Sequence, residues 1–112
     1  MAFQSSITIP NVGTYTISPS IKKFTLIDLG FVENNAGAFI LKRSLQPEKP
    51  IDQAISLKLT FKKDLSGAKA DIVGMAGGPV QIGKQDDASQ MEEILAFHLK
   101  ELVERNVLEQ TV

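Results

Sequence analysis

The segment Ile55-Ser56-Leu57-Lys58-Leu59-Thr60-Phe61-Lys62 decides the fold class. Apolar and polar residues alternate through it. A period of two puts Ile55, Leu57, Leu59 and Phe61 on one face of a β-strand and turns Ser56, Lys58, Thr60 and Lys62 to water. Asp64-Leu65-Ser66-Gly67 follows as hairpin chemistry. Ala68 to Val73 then return as a strand with Ala68, Ala70 and Ile72 inward. Gly74, Gly77, Gly78 and Pro79 break that strand, and Val80 and Ile82 fit a last short one.

Upstream of the segment, Gln46 to Pro50 carries two prolines and reads as a linker inside the domain. Phe31 to Glu33 and Ala38 to Ser44 flank Asn34-Asn35-Ala36-Gly37, whose Asn and Gly accept left-handed backbone, so a hairpin is expected there. Thr25 and Asp28 have the spacing of a capping box and Gly30 suits a helix end, which predicts one helical turn over 25–29. At the start, Phe3, Ile7 and Ile9 share one face of a strand over 3–9. Pro10-Asn11-Val12-Gly13 is a turn, Thr14 to Ile17 is the returning strand, and Ser18-Pro19 ends it.

Downstream lies the one long helix. Asp86-Asp87-Ala88-Ser89 opens it, Ser89 and Glu92 form a capping box, and Glu92 and Glu93 suit the positive end of the helix dipole. Met91, Ile94, Leu95, His98, Leu99 and Leu102 share a face at helical spacing, with Glu93, Lys100, Glu101 and Glu104 mostly opposite, and the helix ends near Asn106. Strands first and one long helix last give an α+β fold, with antiparallel hairpins forming a sheet or sheets and the helix on one face.

The 112 residues suit a single domain, 1–112. With 43% hydrophobic and 22% charged residues the composition is that of a globular chain. There is no cysteine, which removes thiol catalysis, persulfide transfer, iron–sulfur clusters and cysteine zinc sites. One histidine rules out His-pair metalloprotease motifs. No metal site and no cofactor is expected. The formal charge of -1 gives no overall field for nucleic acid or an anionic membrane. It conceals an asymmetry: residues 1–63 hold eight basic groups against four acidic ones, and residues 64–112 hold four against nine. A basic sheet region beside an acidic helix explains this, and so does a basic patch for an acidic partner. Met1 to Pro10 has no basic region followed by a long apolar one, and no stretch approaches the ~18 apolar residues of a membrane span. The expected compartment is the cytoplasm.

No segment carries a recognisable catalytic motif. His98 falls within the apolar stripe, either as a boundary histidine bonded to backbone or as a general base in a pocket between sheet and helix. Gly74 to Pro79 is glycine-rich, yet Pro79 lacks an N–H and no GxxxxGK[ST] or GxGxxG is present, so a phosphate cradle is not indicated. The basic pairs Lys22-Lys23 and Lys42-Arg43 flank the central hairpin, with Asp28, Glu33, Asn34 and Asn35 between them. These eight residues are the candidate surface for a protein partner or an amino-acid-like ligand, Arg43 offering a planar fork for a carboxylate. The aromatics fall mostly on expected core faces. Phe97 projects from the less apolar side of the helix, toward a second sheet or an exposed contact.

The run from Ile21 to Asn35, together with Phe39-Ile40-Leu41, Arg43-Ser44-Leu45, the region from Lys58 to Gly67 and Glu104-Arg105-Asn106-Val107-Leu108, resembles a small family of lactic-acid bacteria known as domain of unknown function 1831. The resemblance covers nearly the whole chain and contains no catalytic motif. It implies two β-sheets packed against a single long helix. It also implies a link to amino-acid metabolism and gene neighbours in cysteine desulfuration and tRNA thiolation, chemistry that a chain without cysteine could only assist. The expectation is a non-enzymatic binding or accessory protein in amino-acid or sulfur metabolism. The alternative is a small-ligand sensor or enzyme with a pocket between sheet and helix.

Overall fold

The computed structural model describes residues 4–9, 12–50, 52–74 and 78–111. Among the described residues, seven strands and two helices follow one another as β1 (Ser6–Ile9), β2 (Gly13–Ile17), α1 (Lys23–Leu29), β3 (Val32–Glu33), β4 (Phe39–Ser44), β5 (Ser56–Phe61), β6 (Ala68–Val73), α2 (Ala88–Glu104) and β7 (Leu108–Gln110). A 3₁₀ turn at Ile82–Lys84 leads into α2. The strands form two antiparallel sheets, β1-β2-β7 and β3-β4-β5-β6. The fold is α+β, two sheets with one long C-terminal helix.

The alternation in β5 holds on its apolar face but not on its polar one, where Ser56 and Thr60, expected to face water, are 0% and 5% exposed and only Lys58 within the strand is half-buried. Leu57, Leu59 and Phe61 are buried, and the register places them opposite Arg43, Leu41 and Phe39 of β4. Along α2, Met91, Leu95, Leu99 and Leu102 are fully buried, while Ile94 and His98 border the stripe. Ile7, Ile9 and Tyr15 from the small sheet, Leu26 and Leu29 from α1, and Leu108 from β7 join the same core. Beyond the start of β1 the two sheets are linked through Gln4, whose N–H donates to the Ala68 carbonyl at 3.0 Å while the Ala68 N–H donates to the Gln4 carbonyl at 2.8 Å.

Both helices end by the same device. Gly30 (φ 106°) and Asn106 (φ 61°) take left-handed backbone, a conformation open to Gly and tolerated by Asn. Phe31 N–H then reaches back to the Leu26 carbonyl, and Val107 N–H to that of Leu102, each at 2.9 Å. All four of these side chains are buried, so each reversal is fixed by a bond and by apolar packing.

Several local expectations are corrected. The first strand over 3–9 is shorter, Ser6–Ile9; Phe3, the turn residues Pro10 and Asn11, and Gly77 lie outside the described residues. α1 begins at Lys23 rather than Thr25 and has no side-chain cap. α2 begins at Ala88, one residue before the expected Ser89 cap. Its start is held from a distance: buried Gln46 donates from Nε2 to Asp87 Oδ2 at 3.1 Å, and its Oε1 accepts from Ile55 N–H at 2.9 Å. The Asp64–Gly67 turn uses left-handed backbone at Leu65 (φ 63°), whose half-buried side chain packs against the core. Val80 and Ile82 do not form a strand. Val80 N–H bonds the Ile72 carbonyl at 2.9 Å and the chain then coils into the 3₁₀ turn. β7 completes the small sheet against β2, an element with no counterpart in the sequence reading.

Candidate functional site

Six of the eight predicted surface residues lie along one margin, formed by α1, β3 and the turn after it. Lys22 and Lys23 stand at the start of α1 and Asp28 in its last turn, all exposed. Burying Leu26 and Leu29 turns Phe24 and Ile27, three residues apart, away from the core, and they are 64% and 55% exposed. The Lys22 ammonium lies 5.8 Å from the centre of the Phe24 ring, a cation–π contact at the surface. Glu33 of β3 is exposed opposite Phe39, whereas its neighbour Val32, 68% exposed and in register with Ile40, lies on the outer face of the large sheet with Lys42. Asn34 holds the hairpin turn itself, its Oδ1 accepting from the N–H groups of Ala36 (3.0 Å) and Ala38 (2.9 Å). Asn35 is exposed at the tip.

Lys42 and Arg43 do not join this margin as a pair. Neighbouring residues of a strand point to opposite faces. Lys42 is exposed on the outer face of the large sheet, in register with Lys58, which in turn faces Asp71. Arg43 lies on the core side. Its Nη2 donates to the Leu29 carbonyl at 2.7 Å and stands 3.8 Å from Glu101 Oε1. Here the basic sheet region meets the acidic helix.

His98 sits at the edge of the core with Nε2 3.2 Å from the Ser44 carbonyl oxygen. A carbonyl only accepts, so this contact keeps a proton on Nε2 and orients the ring against the end of β4. A cleft between sheet and helix is present, but His98 is not among its lining residues. Its walls come from Ile9, Ile72, Val80 and Ile82, with Lys84 and Glu92 beside them, and its volume is about 400 Å³. Among the described residues no group of three or more His, Asp or Glu side chains is placed to hold a metal ion, and no helix is long and apolar enough to cross a membrane.

Among the described residues, Asp64 and Tyr15 have shifted acidities. Hydrogen bonds from the Ser66 hydroxyl (2.6 Å) and the Ser66 N–H (3.0 Å) hold the Asp64 carboxyl below the usual carboxylate range. Burial pushes the Tyr15 phenol above its ordinary value.

Sequence reasoning missed the exposed apolar residues of the margin, because an aromatic such as Phe24 in a short amphipathic segment reads as core. Only Phe97 carried a signal, on the polar side of its helix, and it is 64% exposed. The cleft had no local signal, since its four aliphatic residues come from separate parts of the chain.

The family model for DUF1831, described as "Putative amino acid metabolism", matches residues 1–109. The chain is also similar to the crystal structure of a DUF1831 family protein (lp2179) from Lactobacillus plantarum, with 38% sequence identity, 99% of each chain covered and a TM-score of 0.84. No curated protein matches it. The match along nearly the whole sequence and the shared fold agree: this chain belongs to the DUF1831 family.

Proposed function

We propose that this protein is a non-enzymatic binding or accessory protein of amino-acid or sulfur metabolism, acting in the cytoplasm, and that it meets its partner through the α1–β3 margin. The observation that carries this reading is the exposure of Phe24 and Ile27 on α1 beside Lys22, Lys23 and Asp28 of the same segment. Apolar side chains rimmed by charge are the usual composition of a protein contact surface. The family description supports the metabolic setting. Without cysteine the chain cannot itself carry persulfide sulfur, so its part in sulfur chemistry is to bind a protein that does. Affinity capture from a lysate of the native host, comparing the wild type with the Phe24→Ser/Ile27→Ser variant, tests the assignment. A partner held by the first and lost by the second supports it; equal capture by both removes the margin from consideration.

A second reading, a sensor of a small ligand, is favoured by the aliphatic cleft between the sheets and α2.

A further inference from the structure

The cleft has a lining that names a ligand class. Ile9 comes from β1, Ile72 from β6, and Val80 and Ile82 from the segment after the glycine-rich break. Ile9 is buried and the other three are half-buried, so the apolar surface is partly open to solvent. The wall is fixed by backbone: Val80 N–H bonds the Ile72 carbonyl and Gln85 N–H that of Ile82, each at 2.9 Å. No aromatic residue lines it among the described residues, so it offers no stacking platform for a base or a planar ring. Its volume of about 400 Å³ lies toward the lower end of the range for small-molecule sites.

Gln81, Gly83 and two opposite charges complete the lining, Lys84 at the end of the 3₁₀ turn and Glu92 on α2. No ion pair joins Lys84 to Glu92, both of them described residues, so neither neutralises the other. A cation and an anion beside an aliphatic surface complement a zwitterion with an aliphatic side chain. We propose that this cleft binds a free aliphatic α-amino acid, with its carboxylate at Lys84, its ammonium at Glu92 and its side chain against Ile9, Ile72, Val80 and Ile82. This rests on the small-ligand reading above and narrows it. An aliphatic acid leaves Glu92 without a partner, and an aliphatic amine leaves Lys84 without one. A site built for both charges rejects a ligand missing either. A charged ligand side chain would find no further ionic partner there, only the aliphatic residues and Gln81.

Isothermal titration of the full chain with L-leucine, L-isoleucine and L-valine tests this, with 4-methylpentanoate, 3-methylbutylamine and L-lysine for comparison. The expected result is saturable one-site binding of at least one aliphatic amino acid. Removing either ligand charge, or introducing Lys84→Glu or Glu92→Lys, weakens it at least about tenfold. Circular dichroism checks that the variants fold, and Lys84→Gln and Glu92→Gln replace any that do not. If the acid or the amine binds as tightly as the amino acid, the assignment is overturned while the small-ligand reading stands. Wild-type affinity in both charge variants also overturns it. Absence of binding by every compound overturns the assignment and the small-ligand reading together.

Discussion

Arg43 Nη2 donates to the Leu29 carbonyl oxygen at 2.7 Å, so a side chain of β4 closes the C-terminal end of α1. The last carbonyls of a helix lack intrahelical partners and carry the negative end of its dipole, and a guanidinium satisfies both. Glu101 of α2, 3.8 Å from the same nitrogen, makes Arg43 the junction of the large sheet and both helices.

Arg43→Ala therefore removes a charge-assisted bond from a half-buried site and lowers stability by about 1–3 kcal/mol in urea denaturation. Glu101→Gln costs less than about 1 kcal/mol, because the ion pair is long and its partners are partly wet. Wild-type stability in Arg43→Ala would show that water replaces the bond without loss.

Leu95 and Leu102 lie on the buried stripe of α2, 0% and 2% exposed. Leu95→Ala or Leu102→Ala is expected to cost roughly 2–5 kcal/mol, against a total of about 5–15 kcal/mol for a domain of this size. Exposed Glu93→Ala should stay within about 0.5 kcal/mol of wild type. Losses below about 0.5 kcal/mol at both leucines would mean that this helix face is not the core seam.

The success of the sequence reading follows the length of each pattern. The stripe of α2 repeats over seventeen residues, enough for four buried positions at helical spacing. β5 shows three full alternations, and the 38% identical relative shares the resulting fold. β7 is three residues long, and its pairing with β2 makes it a strand, which no local pattern announces. The cap of α2 falls at Asp87, two residues before the expected Ser89, where the side chain is held by Gln46, forty-one residues away. On the candidate site, the separation of Lys42 from Arg43 was already implied by strand alternation. The exposure of Phe24 was not, since it depends on which face of a seven-residue helix the core takes.

Thr60 on β5 is 5% exposed, and its Oγ1 is buried without a hydrogen-bond partner among the described residues. Valine has the same branched shape and no hydroxyl to desolvate. Thr60→Val is expected to leave stability unchanged or raise it by about 1 kcal/mol. A loss greater than about 1 kcal/mol would reveal a bond that the hydroxyl makes in solution.

The Asp64 carboxyl is held below its ordinary acidity range by Ser66, first through the hydroxyl and then through the backbone N–H. A carboxylate with a depressed folded-state pKa stabilises the fold above its unfolded value, and this contribution is lost as pH falls through the folded value. NMR titration of the Asp64 carboxyl should place it below the usual range, and Ser66→Ala should move it upward. An unchanged midpoint in Ser66→Ala would assign the shift to another source.

The α1–β3 margin is the proposed contact surface. A Lys42→Ala/Arg43→Ala variant cannot test it cleanly, because Arg43 also holds α1 to the sheet. The most direct measurement is host-lysate capture with Phe24→Ser/Ile27→Ser beside a Glu93→Ala/Lys100→Ala control, with all proteins checked for equal thermal stability. The account predicts a partner retained by the wild type and the control and lost by the margin variant. Retention by all three, or loss in the control alone, would contradict it.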